Sequence, residues 1–168
     1  MNWFFLTLGY SGLSPKAPGT VGTLVSLPLG VLILLYLDPT TLFLAALLIS
    51  VISVKLINKY EEESGIHDSQ NIVIDELAGM WFALSVAPAV GVAPEAVFDL
   101  QNGFLVQVIL SFILFRYFDI TKPSIIGRID REAPGGVGVM GDDIIAGFAA
   151  GISSAALWQI YLKLQTLL

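Results

Sequence analysis

The sequence predicts an all-α fold: a polytopic membrane bundle of about five membrane-embedded helices, with a chemical site at their cytoplasmic ends. Three observations predict it. The chain of 168 residues is 55% apolar and 13% charged, with a mean hydropathy of +0.80, and that is too little charge to coat a soluble globule of this length. Its apolar residues fall into runs at Val21 to Leu37, Thr41 to Ile57, Leu77 to Val92, Gly103 to Phe118 and Ile144 to Leu162. Each is close to the roughly 20 residues that a hydrocarbon core requires. Threading these runs alternately through a bilayer gathers Lys16, Lys55, Lys59, Arg116, Lys122, Arg128 and Arg131 at one face and leaves Lys163 at the other. The positive-inside rule makes the crowded face cytoplasmic, with the N-terminus inside and the C-terminus outside. The same face receives Asp75, Glu76, Asp119, Asp130, Asp142 and Asp143, while the opposite loops, Asp38-Pro39-Thr40 and Ala93 to Asn102, hold few functional groups.

No internal repeat, low-complexity tract or linker divides the chain, so residues 1–168 are expected to form one domain. The opening segment, Trp3-Phe4-Phe5-Leu6, is too brief to span and lacks the basic start and small-residue cleavage site of a leader. It reads as an interfacial anchor. Several runs are a little short, which predicts polar helix ends drawn into the interface or locally thinned lipid.

The first run is entered through Gly12-Leu13-Ser14-Pro15-Lys16-Ala17-Pro18-Gly19-Thr20-Val21-Gly22-Thr23. A glycine-rich turn opening a helix offers free N–H groups to an anion, with Lys16, Thr20 and Thr23 as further donors. A capped helix entrance with Thr20 as N-cap accounts for the same residues equally well. It is no P-loop, since Gly-Lys-Ser/Thr is missing at the required spacing. The second run leads into a polar loop, Lys59 to Asn71, whose Glu61-Glu62-Glu63 triplet reads as a solvated helix end. His67-Asp68 lies in that loop, and His67, the sole histidine, reads as a surface or capping residue before a catalytic one. The third run opens on Asp75-Glu76. Acids there commonly answer the helix dipole, but successive residues point about 100° apart, so one of the two is expected to face the bundle and the other the rim.

The fourth run ends in Phe115-Arg116-Tyr117-Phe118-Asp119-Ile120-Thr121-Lys122-Pro123. Arg116, Asp119 and Lys122 form one polar stripe if the helix continues to Lys122, and Pro123 stops it nearby. That stripe is either a salt-bridged helix end or an acid held between two phosphate-binding cations. Asp130 and Arg131 follow. The last run is preceded by Gly135-Gly136-Val137-Gly138-Val139-Met140-Gly141 and Asp142-Asp143, read as a flexible glycine run delivering two acids to a span. A cap accounts for one of those aspartates, not both. Within the run, Gly147 and Gly151 form a small-xxx-small pair, expected to serve packing inside the chain rather than a dimer interface.

Exclusions narrow the chemistry. The chain has no cysteine, which removes disulfides, thiolate metal sites and cysteine nucleophiles. A net charge of −6 with eight scattered basic residues offers no stripe for nucleic acid.

Taken in order, Gly12 to Thr23, His67-Asp68, Asp75-Glu76 with Gly79-Met80-Trp81, Arg116 with Asp119 and Lys122-Pro123, Asp130-Arg131, and Gly135-Gly136 with Asp142-Asp143 resemble the phosphatidylglycerophosphatase A family over almost the whole length. The resemblance implies an all-α bacterial inner-membrane phosphatase that uses Mg²⁺ to hydrolyse phosphatidylglycerophosphate to phosphatidylglycerol. Its partners would be that lipid and the membrane. Catalytic roles are then expected for Asp75, Glu76, Asp119, Asp142 and Asp143, with Asp75, Glu76, Asp142 and Asp143 as metal ligands. Lys16, Thr20, Arg116 and Lys122 would bind phosphate, with His67, Asp68, Asp130 and Arg131 as secondary candidates. Mg²⁺ takes oxygen ligands and bridges carboxylates to phosphate, so a cysteine-free, acid-rich site suits it. Metal-activated water is favoured over an aspartyl nucleophile, because Asp-x-Asp is absent at Asp119. Two alternatives stand beside this reading. A CDP-alcohol phosphotransferase would need an Asp-x-x-Asp-Gly-x-x-Ala-Arg pattern that is missing, and a transporter or channel subunit would place polar groups in mid-span.

Overall fold

A computed structural model describes residues 3–87 and 93–167. Among the described residues every regular element is helical: α1 (Trp3–Leu6), α2 (Pro18–Tyr36), α3 (Pro39–Ser64), α4 (Ile74–Val86), α5 (Phe104–Thr121), α6 (Ile125–Glu132) and α7 (Gly135–Gln165), with short 3-10 turns between some of them. Four helices, α2, α3, α5 and α7, are long and apolar enough to cross a membrane. They match four of the five expected runs. The third run is shorter than its hydropathy suggested: α4 ends at Val86, and the remainder, Pro88 to Val92, lies outside the described residues. A helix tends to stop ahead of the residue before a proline.

Helix α4 is the hub. Every residue from Glu76 to Leu84 is buried, and α2, α3, α5 and α7 all pack on it. A helix apolar on all sides is one that protein encloses, so thirteen residues suffice where a lipid-facing span needs more. The closest approach is to α7. A Cβ at Gly147 would collide with the carbonyl oxygen of Gly79, and one at Gly151 would press on the carbonyl oxygen of Ala83. The small-residue stripe of the last run is thus spent inside the chain, as expected. Glu76 stands about one turn before Gly79, and Asp143 one turn before Gly147, so this crossing brings the two acids together.

The start of α7 departs from expectation. Gly135 to Gly141 form the first two turns of the helix, so neither Asp142 nor Asp143 caps it. Glycine weakens a helix, but here it permits contact: a Cβ at Gly136 would collide with the Val54 backbone of α3. The cap comes from that neighbour, as Asn58 Oδ1 accepts the Gly136 N–H at 2.7 Å. Nor is Thr20 an N-cap, because α2 begins two residues earlier at Pro18, after Ala17 in the left-handed region. Proline at a helix start loses no bond there.

At the other end of α2 the chain turns at Asp38, whose carboxylate accepts the Thr41 N–H at 2.9 Å and the Thr41 hydroxyl at 2.9 Å. Those bonds hold Asp38 below the usual carboxylate range. The opening segment forms α1, tied down by Trp3 stacked on Tyr60 and by Val73 N–H donating to Leu6 O at 3.0 Å, while Phe4 stays exposed. Helix α6, unforeseen in the sequence, buries Ile126 and Gly127 and exposes Arg128 and Arg131.

Candidate active site

Helix ends converge on a cavity of about 270 Å³. Its wall takes Pro18 and Gly19 from α2, His67 to Gln70 from the α3–α4 loop, Asp75 and Glu76 from α4, and Arg116 and Asp119 from α5. Lys122, Asp130 of α6, and Gly138, Val139, Asp142 and Asp143 of α7 complete it. Seven of these side chains are carboxylates (Asp68, Asp75, Glu76, Asp119, Asp130, Asp142, Asp143) and two are cations. The secondary candidates His67, Asp68 and Asp130 therefore reach the wall. Lys16, Thr20 and Arg131 do not: Lys16 and Arg131 are exposed, and Thr20, half-buried, lies one step around α2 from Gly19.

At the centre, Arg116 Nη1 is paired with Glu76 and lies 2.9 Å from Asp119. The Arg116–Asp119 half of the expected stripe therefore forms. Thr23, fully buried, donates its hydroxyl to Glu76 Oε2 at 2.8 Å and accepts from Arg116 Nη1 at 3.3 Å. Gly19 O, 2.9 Å away, competes for the same hydroxyl proton. The Gly12–Thr23 motif thus meets the site by orienting a carboxylate, with Thr23 serving Glu76 rather than an anion. Gly19 is needed for this approach, because a Cβ there would collide with the Glu76 carboxylate.

The stripe breaks at Lys122. Helix α5 ends at Thr121, and Lys122 adopts a left-handed backbone with φ of 43°, which carries its ammonium away from Asp119 to Asp142, at 2.6 Å, and to Asp130. Burial opposes the charge of Lys122, but hydrogen bonds to Asp130 and Asp142 prevail and hold the ammonium above the usual lysine range. It stays charged at any physiological pH. Non-glycine residues at positive φ are uncommon, and a second, Ser124, follows two positions on. Backbone strain of this kind persists where the surrounding structure holds it.

The consecutive acids of α4 divide as expected. Glu76 is buried at the centre, while Asp75, half-buried, accepts the Glu76 N–H at 3.0 Å. Glu76, Asp119 and Asp143 each offer one carboxylate oxygen, and these oxygens lie within 4.8 Å of one another. Carboxylates so placed repel unless a cation joins them. Arg116 supplies one positive charge, and its buried Nε has no partner among the described residues. Two residues escaped the sequence reading. The sequence offers Thr23 only as an anion donor, although it stands one helical turn from Gly19. Glu61, read as solvated, is half-buried and accepts from the cavity loop.

The family model described as Phosphatidylglycerophosphatase A matches residues 4–158. The chain belongs to the phosphatidylglycerophosphatase A family. It is 37% identical over 153 residues to Phosphatidylglycerophosphatase A of Escherichia coli (strain K12), covering 89% of this chain and 80% of that protein. The corresponding protein of Haemophilus influenzae is 32% identical over 148 residues, covering 88% and 83%. A Bacteroides thetaiotaomicron protein, provisionally named a phosphatidylinositol-3-phosphatase, is 36% identical over 156 residues, covering 89% of each chain. No solved structure matches. As a member of this family the chain is an enzyme, a phosphatase of the membrane lipid class, and every motif that carried the resemblance falls within the matched residues.

Proposed function

We propose that this enzyme hydrolyses the terminal phosphomonoester of phosphatidylglycerophosphate at the cytoplasmic face of the bacterial inner membrane, releasing phosphatidylglycerol and phosphate, and that it uses Mg²⁺. The observation that carries the proposal is the charge balance of the cavity: seven carboxylates against two permanent cations. Both cations are already engaged, Arg116 by Glu76 and Asp119 and Lys122 by Asp130 and Asp142. A phosphate dianion approaching such a wall is repelled unless a further cation accompanies it. A divalent ion with a preference for oxygen meets that need. The converging oxygens favour Glu76, Asp119 and Asp143 as its ligands, which keeps two of the four expected ligands and adds Asp119. Asp142 is held by Lys122 and Asp75 by its own turn, so both support the wall in this reading.

Bound there, Mg²⁺ would offset phosphate charge and activate the attacking nucleophile. The chain's own residues do the rest. Thr23 and Arg116 fix Glu76. Lys122 holds α6 against α7 through its two acids, and as a charged donor at the rim it meets the incoming phosphate by exchanging one of them. The positive-inside rule supports a cytoplasmic site, since the site's end of the bundle carries all basic residues but Lys163.

Phosphate release by the purified protein from phosphatidylglycerophosphate, with Mg²⁺ and then with EDTA, tests the proposal. Release that stops with EDTA is expected, and no release in Mg²⁺ would overturn it. The Bacteroides relative supports a second headgroup, so phosphatidylinositol 3-phosphate belongs in the same assay, where preferential hydrolysis would redirect the substrate and keep the site. A reporter placed within Lys59 to Asn71 should be cytoplasmic and one at the C-terminus external, and finding both on one side would overturn the topology.

A further inference from the structure

The α3–α4 loop brings to the cavity a side chain that the chemistry above leaves unused, and the end of α3 supplies its partner. His67, the single histidine of the chain, lies on the cavity wall with its side chain 62% exposed. Its Nδ1 stands 2.7 Å from Glu61 Oε1, and the same oxygen accepts the Asp68 backbone N–H at 3.1 Å. Glu61 is only 16% exposed, whereas Glu62 and Glu63 beside it are open. Asp68 has a φ of 48°, a left-handed backbone that aspartate tolerates better than most residues, and the bond to Glu61 helps to hold it. One carboxylate thus fixes both the loop and the ring.

A carboxylate can only accept, so the nitrogen facing Glu61 carries a proton. The other nitrogen, Nε2, is then the one free to pass a proton to a substrate. We propose that His67 is the general acid of the reaction, its Nε2–H protonating the glycerol oxygen as that oxygen leaves phosphorus. This inference rests on the phosphomonoesterase reading above. Attacking and leaving oxygens lie roughly in line on opposite sides of phosphorus. Glu76 and Asp143 are buried and Asp119 is half-buried beside them, whereas His67 stands on an exposed loop lining the same cavity, so the nucleophile is assigned to the acids and the leaving oxygen to the imidazole.

The step balances. The oxygen of water forms the new bond to phosphorus as the bond to the glycerol oxygen breaks, and the released electron pair takes the Nε2 proton. Glycerol departs as a hydroxyl and His67 becomes neutral. The attacking water leaves one proton on the released phosphate and gives the other to solvent, from which exposed His67 recharges. Such assistance matters because an alkoxide of glycerol is a poor leaving group, and general acids commonly contribute about 10²–10⁴-fold.

The test varies the leaving group. His67→Gln and wild type would be compared on phosphatidylglycerophosphate and on a lipid analogue whose terminal phosphate is carried by a nitrophenol, which needs no proton to leave. The variant should lose about 100-fold or more on the natural ester and keep nearly full rate on the analogue, with an unchanged thermal midpoint. Glu61→Gln should show the same selectivity with a smaller loss. On the natural lipid, His67→Gly should regain turnover when imidazole is added. Equal losses on both substrates, no loss on either, or no rescue by imidazole would overturn the assignment while wild-type turnover upholds the phosphatase reading. Wild type inactive on the natural lipid would overturn that reading and this inference together.

Discussion

At one end of the bundle a cavity of about 270 Å³ is walled by seven carboxylates and two cations, whereas at the other a cavity of about 490 Å³ is lined by Leu100, Gln101, Trp158, Tyr161 and Gln165. The larger cavity is the chemically poorer one. Convergent polar groups, not volume, mark a site. The hydrogen bonds differ in kind as well. At the far end they are local, as in the Asp38 cap on Thr41 or Gln165 Nε2 donating to Tyr161 Oη at 2.7 Å. At the site they join residues distant in sequence, as in Thr23 with Glu76, Arg116 with Glu76 and Lys122 with Asp142. Local bonds finish helix ends, and long-range bonds between side chains hold a shape that only the assembled bundle has.

The sharpest way to break this contrast is to neutralise each end in turn. Glu76→Gln, Asp119→Asn and Asp143→Asn should each lose more than about a hundredfold in phosphate release, while Gln101→Ala and Tyr161→Phe should leave turnover unchanged. Phosphate release insensitive to all three carboxamide variants would dissolve the distinction between the ends.

Helix crossings come next. Gly147→Leu pushes α7 from α4 and separates Asp143 from Glu76, and a misplacement of about 1 Å near reacting groups costs on the order of 10²-fold. Gly103→Ala meets the Trp158 ring at a φ of 77°, a comparable clash at the far end. It should lower the thermal midpoint, as overpacking by about 1–3 kcal/mol does, without changing the turnover of the folded fraction. Turnover and thermal midpoint measured on both variants separate the two outcomes. A Gly147→Leu protein that keeps its rate would show that the crossing does not set the site.

A smaller effect is expected from the buried hydroxyl. Thr23→Val keeps the shape but leaves Glu76 held by Arg116 alone, so the Mg²⁺ concentration for half-maximal activation should rise by about 10–100-fold, the usual scale for groups that orient a ligand. Thr23→Ser should restore it. Equal behaviour of the valine and serine variants would remove Thr23 from the site.

The smallest belongs to the far end. Asp38→Ala should lower the thermal midpoint slightly and spare turnover. Because the folded protein holds Asp38 below its ordinary value, its contribution is present above the unfolded value of about 3.9 and fades as pH falls through the lower, folded one. The difference between wild type and Asp38→Ala should therefore shrink in strongly acidic solution. A constant difference would show that the cap acts through packing.

Much of this was legible in the residues. Four long helices, the end of the bundle that carries the chemistry, and ten of the thirteen candidate side chains on its wall follow from hydropathy and motif order alone. Hydropathy is legible because lipid screens each span separately, by its own composition. Other features were out of reach for a common reason. That thirteen residues suffice for α4 depends on the neighbours that cover it, and the glycines before Asp142 are helical because α3 caps them and comes close. Thr23 turns to Glu76, and Lys122 turns from Asp119, only once α2, α4, α6 and α7 stand in place. Composition and spacing determined that acids would gather at one end of the bundle. The choice of which acids share a cation and which are paired off belongs to the tertiary structure, since those contacts join segments that no local pattern relates.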